Sequence, residues 1–406
     1  GQPKEPLSLR GPEFSDGELI FSPDGRTLWA IGRFGVAWRW EFDGTTVGAW
    51  PRTSPDFGTE VHSVAYAHRG EWLGAVTDDG RLHFMTVDLK RVLTLPGHDR
   101  ATALAFSADD RWLATIGYDG KVNVWEVSAL ASHFGPTPGG EPRPRHVLAT
   151  GNTRTLFARK IGWHPRGRLY ATSGDGLLFD WDFTQPDPAA TVRSHRLHSI
   201  DYMLNAVAVS PDGHWLAVGR HGWDDRPAAG STQFGNLVLL FDVSDPGTLR
   251  FVVQLRCNHL AFGALAFSPD SRWLACGAER KPVLVWDLAA KNIESSVREA
   301  PFSGVTFEAL AFSPDGRTLA LAGWDGRVHL WPFLGSSIAN RSLRLPKGVR
   351  SCAFTPDGRR IVMGGVSGRV LLWDLDLETL LESARRIAGR DFTENERQRF
   401  DLSTGP

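Results

Sequence analysis

What this 406-residue chain lacks narrows its possible roles before any motif is read. Charge of one sign is missing: 45 Lys and Arg against 46 Asp and Glu leave a formal net charge of −1. Bulk electrostatics therefore gives no reason to expect nucleic acid or an anionic membrane as partner. No apolar run approaches the roughly 18 residues a membrane-spanning helix needs, so no membrane partner is expected. No charged-then-apolar leader is read at the start. The chain opens on Gly1-Gln2-Pro3 instead of Met, which reads as an expression scar or the cut end of something longer. Cysteine is almost absent. Cys257, Cys276 and Cys352 have no C-x-x-C spacing, and an odd, sparse set is expected to be buried free thiols in a reducing compartment, which points to the cytoplasm.

Catalytic signatures are missing too, and no catalytic residue, cofactor or metal is expected. Gly117-Tyr118-Asp119-Gly120-Lys121 is followed by Val122, so it is not a phosphate-binding loop, and neither a G-x-S-x-G elbow nor an H-E-x-x-H helix occurs. Ser22-Pro23-Asp24-Gly25-Arg26-Thr27-Leu28-Trp29 resembles a sialidase aspartate box superficially, but Arg26 stands where that turn needs Gly. His195 and His198 with Asp201 nearby are the best metal-like group. Two imidazoles and one carboxylate on a loop are weighed here as surface histidines beside a strand.

What is present is repetition. Phe307 to Phe333 reads as three short strands joined by two tight turns. Ser313-Pro314-Asp315-Gly316 is the first turn, with Pro presetting φ, Asp bonding its own backbone and Gly tolerating φ > 0. Asp325-Gly326 is a strong hairpin signal, and Arg327 to Trp331 alternates before ending on an aromatic. Such a unit cannot bury both faces alone. Near-copies end at Trp40, Met85, Trp125, Trp181, Phe241, Trp286, Trp331 and Trp373, separated by 45, 40, 56, 60, 45, 45 and 42 residues.

That period, with Trp181-Asp182, Trp286-Asp287 and Trp373-Asp374 closing three units and Gly97-His98 opening the third, resembles the WD-repeat (WD40) β-propeller family over almost the whole chain. The resemblance implies an all-β fold: one closed propeller over residues 5–375 with eight four-stranded blades, seven being the alternative. A short helical tail over 376–406 follows. The units are Leu19 to Phe42, Val61 to Leu89, Ala101 to Val127, Phe157 to Phe183, Met203 to Val243, Phe262 to Leu288, Phe307 to Phe333 and Val349 to Leu375. Outer strands are expected in the connectors, at Thr45–Trp50, Val92–Leu95, His146–Thr150, Thr191–Arg193, Arg250–Leu255, Ile293–Val297 and Ser342–Leu345. Seven outer strands for eight units leave the lone strand Leu7–Leu9 to supply the eighth and close the ring.

Two segments break the period. Ser128 to Arg145 is Pro- and Gly-rich and is expected to be an irregular excursion. Arg220 to Asn236 is expected as a long loop between the second and third strands of unit five. After Leu375 the period becomes helical. Leu377, Leu380, Leu381, Ala384 and Ile387 give one amphipathic helix to about Ala388, Gly389 stops it, and Thr393-Glu394-Asn395-Glu396 caps a second short helix ending near Phe400. This tail resembles the ending of bacterial WD-repeat proteins that carry an effector domain, such as signalling NTPases of the STAND class and caspase-like or kinase fusions. It departs from their usual form in having Arg397 where an aromatic is common.

The resemblance also assigns residues. It implies a scaffold hydrogen-bond network in unit three made of His98, Thr115, Asp119 and Trp125. Unit seven is expected to keep Asp325 and Trp331 without a His or a hydroxyl. The residue before each hairpin Asp position is implied to face the top surface: Arg33, Asp78, Tyr118, Gly174, Phe234, Glu279, Trp324 and Val366. Of these, Arg33, Asp78, Tyr118, Phe234, Glu279 and Trp324, joined by Trp223 in the long loop, are the candidate partner-binding residues, since aromatics suit protein recognition better than hydrolysis. The expected function is a non-catalytic interaction or sensor platform, the recognition part of a bacterial signalling or defence-type system, whose partner is another protein or an effector domain or subunit. The competing reading is an enzyme or small-molecule binder using the central channel.

Overall fold

The computed structural model describes residues 7–10, 18–31, 37–41, 52–53, 57–135, 142–149, 160–197, 202–222, 237–245, 247–257, 260–278, 280–334, 341–345, 348–365 and 369–375. Eight four-stranded antiparallel sheets follow one another along the chain. Blades 1 to 7 begin with the inner strands Glu18–Phe21, Val61–Tyr66, Ala101–Phe106, Ile161–Trp163, Tyr202–Val209, Leu260–Phe267 and Phe307–Phe312. Blade 8 takes Val349–Phe354, Arg360–Gly365 and Arg369–Asp374 from the end of the chain and Leu7–Arg10 from its start. Leu7 stands opposite Leu372 and Arg10 opposite Arg369. The N-terminal strand is thus the outer strand of the last blade.

Burial grades outward and explains the composition of each strand. Trp112–Gly117, the second strand of blade 3, is buried at all six positions and relies on small residues; a Cβ added at Gly74, in the same strand of blade 2, would meet Leu104 Cδ1 of blade 3 at 3.0 Å. Third strands bury everything but their ends, as in Lys121–Glu126, whereas outer strands such as Arg193–Arg196 stay largely exposed. The cores lie between blades. The cluster of Leu19, Leu28, Ala30 and Trp40 with Val362, Val370 and Leu372 joins blade 1 to blade 8 in the same way that the others join sequence neighbours.

The turns between first and second strands interlock around one end of the ring. In blade 1, Ser22 Oγ donates to Asp24 Oδ1 (2.6 Å), which also accepts from the Arg26 amide (3.0 Å), while Thr27 N–H donates to Ser22 Oγ. Gly25 takes φ +68°, a conformation that strains side chains. A Cβ there would meet Pro356 of blade 8 at 3.0 Å; one at Gly316 would meet Pro269 of blade 6, and one at Gly358 would meet Pro314 of blade 7. Elsewhere, amides of His68 and Arg69 donate to Asp110 of blade 3, and Asp212 N–H donates to Ser271 Oγ of blade 6. The seam between blades 8 and 1 carries the same Pro-on-Gly contact as its neighbours, plus Leu19 N–H donating to Ser351 Oγ at 3.1 Å.

Several expectations need correction. The outer strand of blade 6 is Arg298–Glu299, because Glu294–Ser296 inside the expected strand is a 3-10 turn. Ser296 Oγ bonds Ile293 O and accepts from Asp287 N–H, and the Asn292 carboxamide accepts from Ser295 N–H. In blade 4, Pro188–Thr191 is likewise a 3-10 turn, and the outer strand runs Arg193–Arg196. Blade 1 has Arg52–Thr53 as its described outer strand, Thr45–Trp50 lying outside the described residues. The excursion after blade 3 begins with a helix, Val127–Ser132, and Phe134 stacks 5.7 Å from Trp72 of blade 2, clipped by Arg91 to its carbonyl. The second strand of blade 5 continues through Arg220 to Gly222 because Leu204, Met203 and Tyr202 pair with it. The cysteines are not three free thiols. Cys257 and Cys276 form a disulfide from blade 5 to blade 6 and only Cys352 is free, so the thiol argument for a reducing compartment lapses. The tail, 376–406, lies outside the described residues.

Candidate functional site

The end of the ring opposite the interlocked turns carries the hairpins between second and third strands, and a recurring irregularity faces it. The register of the inner strand slips between Val61 and Ser63, Ala101 and Ala103, Leu204 and Ala206, Phe307 and Ala309, and Val349 and Ser351. One extra residue turns a side chain off both sheet faces at the strand's top end. Among the residues whose side chains are described, these are His62, Thr102, Asn205 and Arg350. The sequence carries the signal: a polar residue set among apolar ones in the first half of the strand, as in V-H-S-V, A-T-A-L, L-N-A-V, F-E-A-L and V-R-S-C. Period-two reading alone passes over it.

Bulge residues meet hairpin residues within a blade at His62 and across blades at Arg350. His62 Nε2 lies 2.8 Å from Asp78 Oδ1, and Arg100 of blade 3 donates to the same oxygen from Nε (3.0 Å) and Nη2 (2.8 Å). The His62 hydrogen bond, with help from Arg100 and against partial burial, holds the Asp78 carboxyl below its usual range. The Arg100 guanidinium also lies over the Tyr118 ring, 5.3 Å from its centroid. Across blades 7 and 8, Arg350 stacks on Trp324 at 4.4 Å, and Trp324 remains 55% exposed. Asn205 is 1% exposed, and neither end of its carboxamide has a hydrogen-bond partner among the described residues.

Of the seven candidate partner-binding residues, Asp78 and Tyr118 are joined through Arg100. Trp324 stands apart on the same end with Arg350. Arg33, Trp223, Phe234 and Glu279 lie outside the described residues. Arg100, His62 and Arg350 were not among the sequence candidates.

Beneath this surface lies the polar scaffold. His98 Nδ1 is 3.0 Å from Asp119 Oδ1 and its Nε2 is 2.9 Å from Thr115 Oγ1, which also accepts from Trp125 Nε1 at 3.3 Å. Blade 7 has no imidazole before its inner strand and no hydroxyl on its second strand, Leu319–Gly323, but it builds a comparable linkage from other strands. His329, on its third strand, lies 2.9 Å from Asp325 Oδ2, and Ser342 Oγ is 2.8 Å from its Nδ1. Blade 2 places His83 likewise, against Thr77 (3.3 Å) and Thr94 (3.0 Å), and burial pushes its pKa down to about 4. His195 is not a loop ligand: it sits on the outer strand of blade 4 at 2.8 Å from Asp180, which is buried against Arg168, while His198 and Asp201 lie outside the described residues. Among the described residues no group of three metal-ligating side chains converges.

Comparison with known proteins agrees with this architecture. The family model "WD domain, G-beta repeat" matches residues 89–126, 188–226, 300–332 and 340–374. Two of those matches, 89–126 and 340–374, start just before the outer strand of one blade and end with the third strand of the next, the stagger that leaves blade 8 to be completed by the N-terminal strand. "Periodic tryptophan protein 2" of Saccharomyces cerevisiae is 23% identical over 300 residues, 66% of this chain and 30% of that protein. "Protein LST8 homolog" of Drosophila melanogaster is 28% identical over 190 residues, 46% of this chain and 50% of that one. "Target of rapamycin complex subunit wat1" of Schizosaccharomyces pombe is 25% identical over 248 residues, 59% of this chain and 68% of that protein. The chain spans half or less of the first two relatives' length.

Proposed function

The chain is a WD40-repeat β-propeller, and from that premise we propose that it is a non-catalytic recognition platform that binds a protein partner on its top face. The observation that carries this reading is Trp324. An indole 55% exposed at a hairpin tip, backed by a guanidinium at 4.4 Å, serves no packing need that Asp78 or Gly174 fails to meet at the same position. Aromatic and Arg side chains dominate interface energies, with truncation of a hot spot removing roughly 2 kcal/mol or more. The Asp78–Arg100–Tyr118 cluster supplies a second anchor with fixed geometry. A relative named as the subunit of a complex supports assembly with other proteins.

The finer reading is that the propeller forms the recognition part of a larger multidomain or multisubunit system, with an effector domain or subunit as partner. A bacterial signalling or defence setting rests on the sequence of the tail alone, and the relatives named above are eukaryotic. Neutral net charge supports protein over nucleic acid as partner, and no described helix is long and apolar enough to cross a membrane. A channel enzyme is the competing reading, and the His62–Asp78 pair is the observation in its favour; Arg100 on the same carboxylate oxygen favours a structural tie.

A photo-cross-linking amino acid in place of Trp324, with the exposed rim residue Val297, just before the outer strand of blade 6, as control, tests the site in the source cells. Partner adducts from position 324 and none from 297 are expected. Adducts from 297 alone would move recognition to the rim.

A further inference from the structure

Second strands begin with an indole in four blades: Trp72, Trp112, Trp215 and Trp273. Two of these show what the position does. Trp112 of blade 3 meets Phe183 of blade 4 at 5.5 Å between ring centroids, and Trp163 closes on the same phenyl at 5.0 Å. Trp273 of blade 6 meets Phe333 of blade 7 at 5.1 Å, and Phe312 closes at 5.7 Å. In each case the rings are the second-strand Trp, the aromatic ending the next blade's inner strand, and the Phe two residues past the third-strand Trp. Together they plug the junction between blades.

Between blades 7 and 8 the plug lacks its first ring. Thr318 stands where Trp273 stands one blade earlier, Phe354 ends the inner strand of blade 8, and Leu375 follows Trp373 by two. Pro332, opposite Thr318, has no N–H, and the ladder of blade 7 starts one pair later, at Leu319 and Trp331. The result is a pocket of about 510 Å³ walled by Thr318, Leu330, Pro332, Phe354 and Leu375. Blade 1 also has a Thr here, Thr27, but Val87 and Leu89 of blade 2 pack onto the buried cluster around Tyr66. The lining at 7/8 adds two carboxylates, Asp315 and Asp357, and among the described residues no cationic side chain. Each uses Oδ1 for its own turn, Asp315 accepting from Ser313 Oγ (2.5 Å) and Arg317 N–H (3.0 Å), and Asp357 from Thr355 Oγ1 (2.5 Å) and Arg359 N–H (3.0 Å). Burial works against ionisation of Asp357, but the Thr355 hydroxyl and the Arg359 amide outweigh it and hold the carboxyl below its usual range.

We propose that this pocket, on the face opposite the hairpin tips, receives an aromatic side chain with a cation beside it, a Trp or Phe next to Lys or Arg on a partner segment. The sister junctions show that an indole fits between these walls, and burying an aromatic ring removes about 150–250 Å² from water. The two carboxylates at the mouth complement a neighbouring ammonium or guanidinium.

Tryptamine, an indole bearing an ammonium, is the probe, titrated into the full chain by calorimetry and by NMR. Saturable binding at one site is expected, with indole-3-propionate weaker by on the order of tenfold because its charge is reversed. Thr318→Trp supplies the missing ring and should abolish tryptamine binding without lowering the melting temperature. If that variant fails to fold, Leu375→Phe, which restores the residue at the Phe333 position, narrows the same pocket and should weaken binding instead. Asp315→Asn with Asp357→Asn should reduce tryptamine affinity toward that of indole-3-propionate. Equal binding by wild type and Thr318→Trp, or no saturable binding by wild type, would overturn the proposal. So would binding that appears only after Leu381→Asp, because the chain's own tail would then be the occupant.

Discussion

Blades 3 and 7 bury the same kind of polar linkage by different routes. In blade 3 the imidazole arrives from before the inner strand, as His98, and reaches Asp119 on one side and Thr115 on the other. In blade 7 it arrives from the third strand, as His329, and reaches Asp325 and Ser342. What recurs is an imidazole held between a hairpin carboxylate and a hydroxyl, not a residue at a fixed place in the repeat. The routes differ in consequence. Thr115 also accepts the Trp125 indole N–H, so blade 3 concentrates two ring nitrogens on one hydroxyl. Blade 7 spreads its bonds, and its hairpin tip is left to carry an exposed Trp324, whereas Tyr118 of blade 3 lies under Arg100.

The largest effect should come from the blade that belongs to neither pattern. Removing residues 1–10 takes the outer strand from blade 8 and exposes the edge of Arg369–Asp374. A loss of a few kcal/mol with self-association through the bare edge is expected, read by thermal melting and light scattering. An unchanged, monomeric melt would show that the seam between blades 8 and 1 suffices alone.

Next, Thr115→Val strips partners from both His98 Nε2 and Trp125 Nε1 while keeping the side chain's shape. A loss of roughly 2–5 kcal/mol is expected in denaturant titration, since each buried group left unpaired costs about 1–3 kcal/mol. Ser342→Ala in blade 7 removes one partner from His329 and should cost about 1 kcal/mol. Equal losses in the two variants would break the contrast between the concentrated and the distributed network.

A smaller, pH-dependent effect belongs to His83, the blade 2 counterpart of His329. Its folded pKa, about 4, lies below the ordinary 6.5 because burial disfavours the imidazolium. The unfolded chain therefore binds the extra proton first. Its contribution to stability is present above pH 6.5 and is lost as pH falls from 6.5 towards 4. His83→Gln should flatten the stability profile across that window, and an unaltered slope would mean the ring is not buried neutral.

The fold was legible because its signals are local and repeated. Ser-Pro-Asp-Gly-type turns, Asp-Gly hairpins and terminal Trp residues recur among the blades, and counting outer strands left only Leu7–Leu9 to complete the eighth. Legibility failed where a residue's role depends on a neighbouring blade. His329 looks like an ordinary alternating strand residue until Ser342 is placed beside it. The bulges at His62 and Arg350 shift a pairing register, which a single strand does not show. Cys257 and Cys276, 19 residues apart, meet only because blades 5 and 6 are adjacent. Thr318 stands where four other blades have Trp, but the space it leaves is defined by Phe354 and Leu375 of the next blade.

Recognition by the hairpin face stands or falls on one double variant. Trp324→Ala with Tyr118→Ala should leave the melting temperature within about 2 °C of wild type, because Trp324 is exposed and Tyr118 serves as the platform for an exposed guanidinium. The same variant should no longer capture the partner identified by cross-linking from position 324. Full capture by a stably folded double variant would contradict the account and place the partner elsewhere on the ring.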